Sequence, residues 1–312
     1  MSASAEIVAR VRLRATRLRW LRSATPYLFL MPALAVLLLF VYRPLAEALR
    51  LSFYQWNLMP TTPARFVGLD NYRRVLTLPD IRQATVNTVV VTLGLMPFSV
   101  LLPLGVALLT DGLAGRLRQL YRALIFLPVV VAPVVAAVVW SWLLDPDHGL
   151  VNAVLAALGV HPISFLGDSA TALATIIGIT GWKLVGFSTL IIAAALAGLD
   201  RSLFEAARID GAGPWRIVRC LTLPLLSPTL LFLTLLTVLL GAQWSFVYVN
   251  VLTEGGPLGA TTNIYYLLWD YAFNTFSIGW SAAAGMLLFV VFALLAAAGL
   301  HLSDRLAFHH DD

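Results

Sequence analysis

Cysteine and lysine are almost missing from this chain. Cys220 is the only cysteine in 312 residues, which rules out an intrachain disulfide and any cysteine-based zinc or iron–sulfur site built from this chain alone. Lys183 is the only lysine, standing between Trp182 and Leu184. A phosphate-binding loop needs Gly-Lys-Ser/Thr after a glycine-rich turn, so this chain does not hydrolyse ATP by that route. The five histidines, His148, His161, His301, His309 and His310, form no H-E-x-x-H pair, and no G-x-S-x-G elbow occurs. No catalytic or metal site is expected. Charge is scarce too, at 12% of residues against 60% hydrophobic, more apolar surface than a soluble core of this size buries. Most of it must face lipid or other apolar helices. The formal charge of +5 does not indicate nucleic acid, because the arginines gather at the ends of apolar runs instead of along one stripe.

A helix crosses the hydrocarbon with about 20 apolar residues, and such stretches lie near residues 26–49, 84–109, 123–144, 170–195, 227–249 and 280–302. The first is interrupted by Arg43, Pro44 and Glu47. A basic start before an apolar run also describes a signal peptide, but Ala33-Leu34-Ala35 sits inside the run without a polar region after it, favouring an uncleaved span. The expectation is an all-α membrane protein with about six transmembrane helices. It divides into a basic cytoplasmic segment at 1–25, a transmembrane domain at 26–302 and a cytoplasmic tail at 303–312. No internal repeat is visible, so a carrier of two inverted halves is not indicated.

Arginine places the loops, since Lys and Arg concentrate on the cytoplasmic side. Arg10, Arg12, Arg14, Arg17, Arg19 and Arg22 put the N-terminus inside. By parity the connections carrying Arg116, Arg118 and Arg122, and Arg201, Arg208, Arg216 and Arg219, are inside, as is Arg305. Segments 145–169 and 250–279, outside by parity, hold no Lys or Arg. One connection disagrees: residues 43–83 hold Arg43, Arg50, Arg65, Arg73, Arg74 and Arg82 yet fall outside. A longer loop with its own fold is less bound by the rule. The outside turns, with Asp145 and Asp147 in one and Gly255-Gly256-Pro257 in another, are acidic and rich in turn formers. They read as docking surfaces for an external partner or as solvated connections.

The inside segment 200–224 has the most distinctive local chemistry. Ser202 and Glu205 stand at capping-box spacing, predicting a short helix from there. Gly211 and Gly213 end it, and Pro214 suits the first turn of a second short helix running to Pro224. Glu205, Ala206 and Ala207 combine a carboxylate with two small side chains, which lets another protein approach closely. Arg216 and Arg219, three apart, share a face suited to an acidic partner.

These residues resemble the signature of permease subunits of binding-protein-dependent ATP-binding-cassette importers: E-A-A, three residues, G, nine residues, I-x-L-P. Glu205-Ala206-Ala207, Gly211 and Leu221-Thr222-Leu223-Pro224 fit that spacing, with Leu221 in place of Ile. Ile209-Asp210-Gly211-Ala212-Gly213-Pro214 has the form common in the carbohydrate-uptake branch, which Phe66-Val67-Gly68-Leu69-Asp70-Asn71-Tyr72 and Thr253-Glu254-Gly255-Gly256-Pro257 also resemble. Within that branch the likeness is greatest to glycerol-3-phosphate and oligosaccharide permeases. The resemblance implies a heterodimer with a second permease, two ATPase subunits that bind ATP and Mg, an external solute-binding protein, and a location in the inner membrane with both termini cytoplasmic. No cofactor is implied on this chain. Residues 200–224 would be a cytoplasmic coupling helix between the fourth and fifth spans, seated on an ATPase through Glu205, Ala206, Ala207, Asp210, Gly211, Gly213, Pro214, Arg216 and Pro224. A Glu205 that only caps its own helix is the alternative.

Ionisable groups inside a membrane mark pathways or buried pairs. Lys183 lies midway along the fourth span beside Trp182, with Phe187 one turn on, and the fifth span carries Gln243, Trp244, Ser245 and Tyr248. The resemblance places these parts of the spans along the translocation pocket, where an ammonium and an amide suit a phosphate or a polyol and the indoles suit a sugar face. Alternatively the tryptophans belong to an interfacial belt, and Lys183 snorkels or pairs with a carboxylate of the partner. A single-chain carrier or a membrane enzyme remains the competing class. An enzyme would need clustered His, Asp or Glu near a membrane face, and the acids here are dispersed.

Overall fold

A computed structural model describes residues 27–306 apart from 58, 60 and 114. The basic segment 1–25 and residues 307–312 of the expected tail lie outside the described residues. Helices dominate: α1 Tyr27–Leu51, α2 Asp70–Thr77, α3 Pro79–Asp111, α4 Gly115–Val130, α5 Pro133–Leu143, α6 Leu150–Ala157, α7 Ala172–Ala197, α8 Arg201–Ile209, α9 Pro214–Thr253, α10 Ile264–Trp269 and α11 Ile278–Leu306. Of these α1, α3, α7, α9 and α11 are long and apolar enough to cross a membrane, and α4 with α5 makes a sixth crossing if the bent pair counts as one. An antiparallel pair, β1 Tyr54–Gln55 and β2 Arg65–Phe66, aligns Tyr54 with Phe66.

Proline decides the shape of the long helices. A proline in a helix interior lacks its N–H and crowds the carbonyl four residues earlier. Pro44, Pro103 and Pro224 each follow a π turn, at Leu38–Tyr42, Pro97–Leu101 and Val218–Thr222, which contains that earlier carbonyl. The wider turn takes up the missing bond and the helix continues. Two expectations are corrected thereby. Pro44 does not interrupt the first span, and Pro224 does not end the helix begun at Pro214, which runs on to Thr253.

The third expected span is corrected in the opposite sense. Residues 123–144 do not form one helix: α4 and α5 meet at 95°. Ala132, directly before Pro133, is extended with ψ 136, the conformation a following proline favours, and Pro133 starts a new helix.

Helix α7 is apolar around its whole circumference and lies at the centre, packed on α3, α4 and α9. Glycines permit this closeness. A Cβ at Gly186 would collide with the Ile125 carbonyl of α4, and one at Gly181 would enter the Phe98 ring of α3. By contrast residues 27–42 of α1 are exposed along their length, and α1 meets α11 through its Arg43–Leu51 part.

The bundle has two dissimilar ends. One collects the end of α3, the start of α4, the end of α7, and α8. The other carries the arginine-rich segment 43–83, which does have its own fold: buried Asn71 donates to Ser52 O (2.8 Å) and Tyr54 O (3.0 Å), tying α2 to β1. Arg50 pairs with Glu47 and Arg74 with Asp70 there.

Candidate functional site

At the first end, α8 stands as a short exposed helix. Its cap is Asp200, whose side chain accepts from Ser202 N (2.9 Å); this backbone N–H holds the carboxyl below its ordinary range. The predicted capping box is therefore corrected, because the cap is Asp200, two residues before Ser202, and the helix starts at Arg201. Glu205 is exposed and has no hydrogen bond or ion pair among the described residues. It borders a groove lined by Asp111, Leu199, Arg201, Phe204 and Arg208. Gly211 adopts φ +78, a left-handed conformation that glycine takes without strain, and so ends α8. Ala206, Asp210, Gly213, Pro214 and Arg216 are exposed along with it, and Ala207 is half-buried. Sequence reasoning did not single out the apolar part of this surface. Ile209 is 86% exposed and Trp215 74%, flanking the turn between α8 and α9. A tryptophan beside proline in a charged loop was the available signal.

Midway along α7, Lys183 lines a cavity of about 270 Å³ together with Val129, Pro133, Thr180, Leu184, Phe187, Trp244 and Tyr248. Its ammonium donates to the carbonyl of Val131, the acceptor exposed where α4 ends. This supplies a partner for the ammonium within the chain, other than the carboxylate that the sequence suggests. Phe187 and Trp244 meet edge to face at 6.1 Å. The Tyr248 side chain is buried and its hydroxyl has no hydrogen-bond partner among the described residues. Four of the seven residues expected along the pathway thus meet here: Lys183, Phe187, Trp244 and Tyr248. Three do not line the cavity. Trp182 turns to Trp140, rings 5.7 Å apart; Gln243 is exposed on another face of α9; Ser245 donates to Ala242 O (2.8 Å) and accepts from Asn263 (2.9 Å). Helical rotation of about 100° per residue separates Gln243 and Ser245 from Trp244.

At the far end the two acidic turns are closed by their own hydrogen bonds. Asp145 Oδ1 accepts from the N–H groups of His148 (2.7 Å) and Asp147 (3.0 Å), which hold its carboxyl below the ordinary range. Buried Asn152 ties that turn to Ile163 in both directions. In the second turn Gly255 is buried, and a Cβ there would strike Thr262 Oγ1 and the Tyr266 ring. Gly255, expected on a docking surface, is itself buried and shapes the turn, Gly256 and Pro257 are half-buried, and Leu258 at 99% exposure forms the tip. Asp147 is exposed as expected.

Residues 84–309 match the family described as binding-protein-dependent transport system inner membrane component. The chain is 34% identical over 278 residues to the trehalose/maltose transport system permease protein MalF of Thermococcus litoralis, covering 88% of this chain and 92% of that one. It is 33% identical over 267 residues to the sn-glycerol-3-phosphate transport system permease protein UgpA of Pectobacterium atrosepticum, covering 85% and 89%. A chain of a bacterial ABC transporter involved in import of the acidic polysaccharide alginate superposes with a TM-score of 0.82 at 22% identity, covering 93% of this chain and 100% of that chain. That identity establishes likeness of fold.

Proposed function

The chain belongs to the inner membrane components of binding-protein-dependent transport systems, and on that premise we propose that it forms the solute pathway of an ATP-driven importer together with a second, different permease chain. Two ATPase subunits hold ATP and Mg and hydrolyse it, an external binding protein delivers the solute, and both termini are cytoplasmic. The observation that carries this reading is α8: a capped helix held clear of the bundle, with Glu205 unpaired among the described residues and Ile209 and Trp215 uncovered. Such an exposed cluster of apolar and acidic groups suits a protein partner, and its seating in an ATPase cleft transmits closure to α7 and α9, whose ends it joins. Closure then biases the spans between two states through different contacts in each.

For the solute, the cavity around Lys183 favours glycerol 3-phosphate or a glycerophosphodiester over a neutral sugar or oligosaccharide. An ammonium midway along a span is unfavourable by about 2.5–3.5 kcal/mol on insertion scales, so its place is not incidental. A phosphate would offer oxygens to its donors, and Trp244 would cover the carbon chain. The relatives include a glycerol-3-phosphate permease and a trehalose/maltose permease, so a sugar is the second reading. Lys183→Met keeps most of the stem and removes the charge. In membranes containing the assembled importer, glycerol 3-phosphate uptake should fall at least tenfold, the loss expected for a charge-assisted hydrogen bond of about 1.5–3 kcal/mol. Unchanged uptake rejects the anionic site, and failure to co-purify with an ATPase and a second polytopic chain rejects the importer reading.

A further inference from the structure

Lys183 holds the end of one helix from the middle of another. In an unbroken helix the Val131 carbonyl would accept the N–H four residues on, at Val135. The 95° break removes that partner, and the carbonyl end of α4 carries partial negative charge. The ammonium of Lys183 supplies the missing donor. An ammonium has three donors, so this bond leaves it able to meet another acceptor.

The surroundings connect that bond to the angle between the two helices. Val129 of α4 and Pro133 of α5, on either side of the break, both line the cavity that Lys183 enters. An occupant therefore touches both arms. α4 is pinned to α7 where Gly186 admits the Ile125 carbonyl, so a change of angle would have to be taken up by α5, whose Ala136 and Ala137 share a core with Ile176 and Ile179 of α7. α5 in turn packs with the outer end of the bundle, because Ala136, Ala137 and Leu144 share a core with Tyr248, Val249 and Tyr266. Tyr248 also lines this cavity, with its hydroxyl buried and without a hydrogen-bond partner among the described residues. A ligand that engages Lys183 and Tyr248 thus acts on the pivot and on the element packed against the moving arm.

We infer that Lys183 is a latch with two acceptors: the Val131 carbonyl, which fixes the angle between α4 and α5, and the anionic group of an arriving solute, which takes the ammonium and frees the angle. Lys183 is then a positioning residue as well as a binding one, reporting occupancy of the cavity to the outer end. This rests on the reading of the cavity as the solute site.

The test uses the complete importer reconstituted in lipid, in a Cys220→Ser background, with spin labels at Leu124 on α4 and Val139 on α5, both exposed. The probe is sn-glycerol 3-phosphate presented with the binding protein, and maltose serves as the neutral control. With Lys183 present, glycerol 3-phosphate should shift the interlabel distance and maltose should not. In Lys183→Met the distance should already be shifted without solute and should no longer respond, and ATP hydrolysis without solute should rise several-fold. Lys183→Arg, which keeps a charge able to cap the carbonyl, should retain the resting distance and part of the response, and it serves if the Met variant fails to assemble. If Lys183→Met loses uptake tenfold while its interlabel distance stays at the resting value, the latch is overturned and the solute site stands. If uptake and distance are both unchanged, the solute-site reading falls with it. A shift with maltose equal to that with glycerol 3-phosphate overturns the anion as the releasing group.

Discussion

Adding a single methyl group at two glycines of the same helix should separate packing from propensity. Gly186 and Gly178 both lie in α7. At Gly178 a new Cβ meets nothing within 4 Å, whereas at Gly186 it would fall on the Ile125 carbonyl oxygen and 3.0 Å from Val129 Cγ2. Alanine gains about 0.8–1 kcal/mol over glycine in a helix interior, so Gly178→Ala should be neutral to stabilising by about that amount. At Gly186 the same gain is opposed by overpacking of about 1–3 kcal/mol. The backbone oxygen has no rotamer to escape into, so α4 and α7 must move apart by roughly 1 Å. Val131 follows Val129 by two residues, and Lys183 precedes Gly186 by three. The separation therefore lands on the ammonium–carbonyl bond. Thermal inactivation of the assembled importer in detergent, with uptake measured in parallel, should put Gly186→Ala about 1–3 kcal/mol below Gly178→Ala, with uptake lost only in the former. Equal stability and equal uptake would refute the close α4–α7 approach and the positioning of the Lys183 bond that depends on it.

Beyond the end of α7, Glu205→Lys should leave insertion and folding intact, since the carboxylate has no partner among the described residues, yet uncouple solute uptake from ATP hydrolysis; normal coupled transport removes the coupling role. Trp215→Ala should weaken co-purification of the ATPase, because a 74% exposed indole is costly to leave uncovered and a good anchor when buried; undiminished association refutes the contact. Cysteines placed at Asp147 and Leu258 in a Cys220→Ser background should react with an impermeant thiol reagent from outside, and one at Arg208 should not, with detergent-opened membranes as the control. Reversed labelling inverts the topology.

Composition and spacing were enough for the class. Six apolar stretches, two arginine-free outside loops set against arginine-rich inside ones, and Glu205-Ala206-Ala207 with Gly211 are properties of the chain read in order, and the physics behind them is local: hydrocarbon thickness, charge asymmetry across a membrane, and a helix ended by a glycine. Lys183, Trp244, Phe187 and Tyr248 were legible as candidates for the same reason, being polar or aromatic groups out of place in apolar spans. Which of their neighbours joined them was not. Gln243 and Ser245 flank Trp244 in sequence but point elsewhere, and Trp182 turns from Lys183 to Trp140, because the rotation of α7 and α9 is set by contacts with other helices. The same holds for proline. Pro44, Pro224 and Pro133 look alike in the sequence, yet the first two are absorbed by π turns and the third accompanies a 95° break, which local preference cannot distinguish. Only tertiary structure decided that Val131's freed carbonyl would face the chain's one lysine, since the two are 52 residues apart and meet only because Gly186 lets α4 lie against α7.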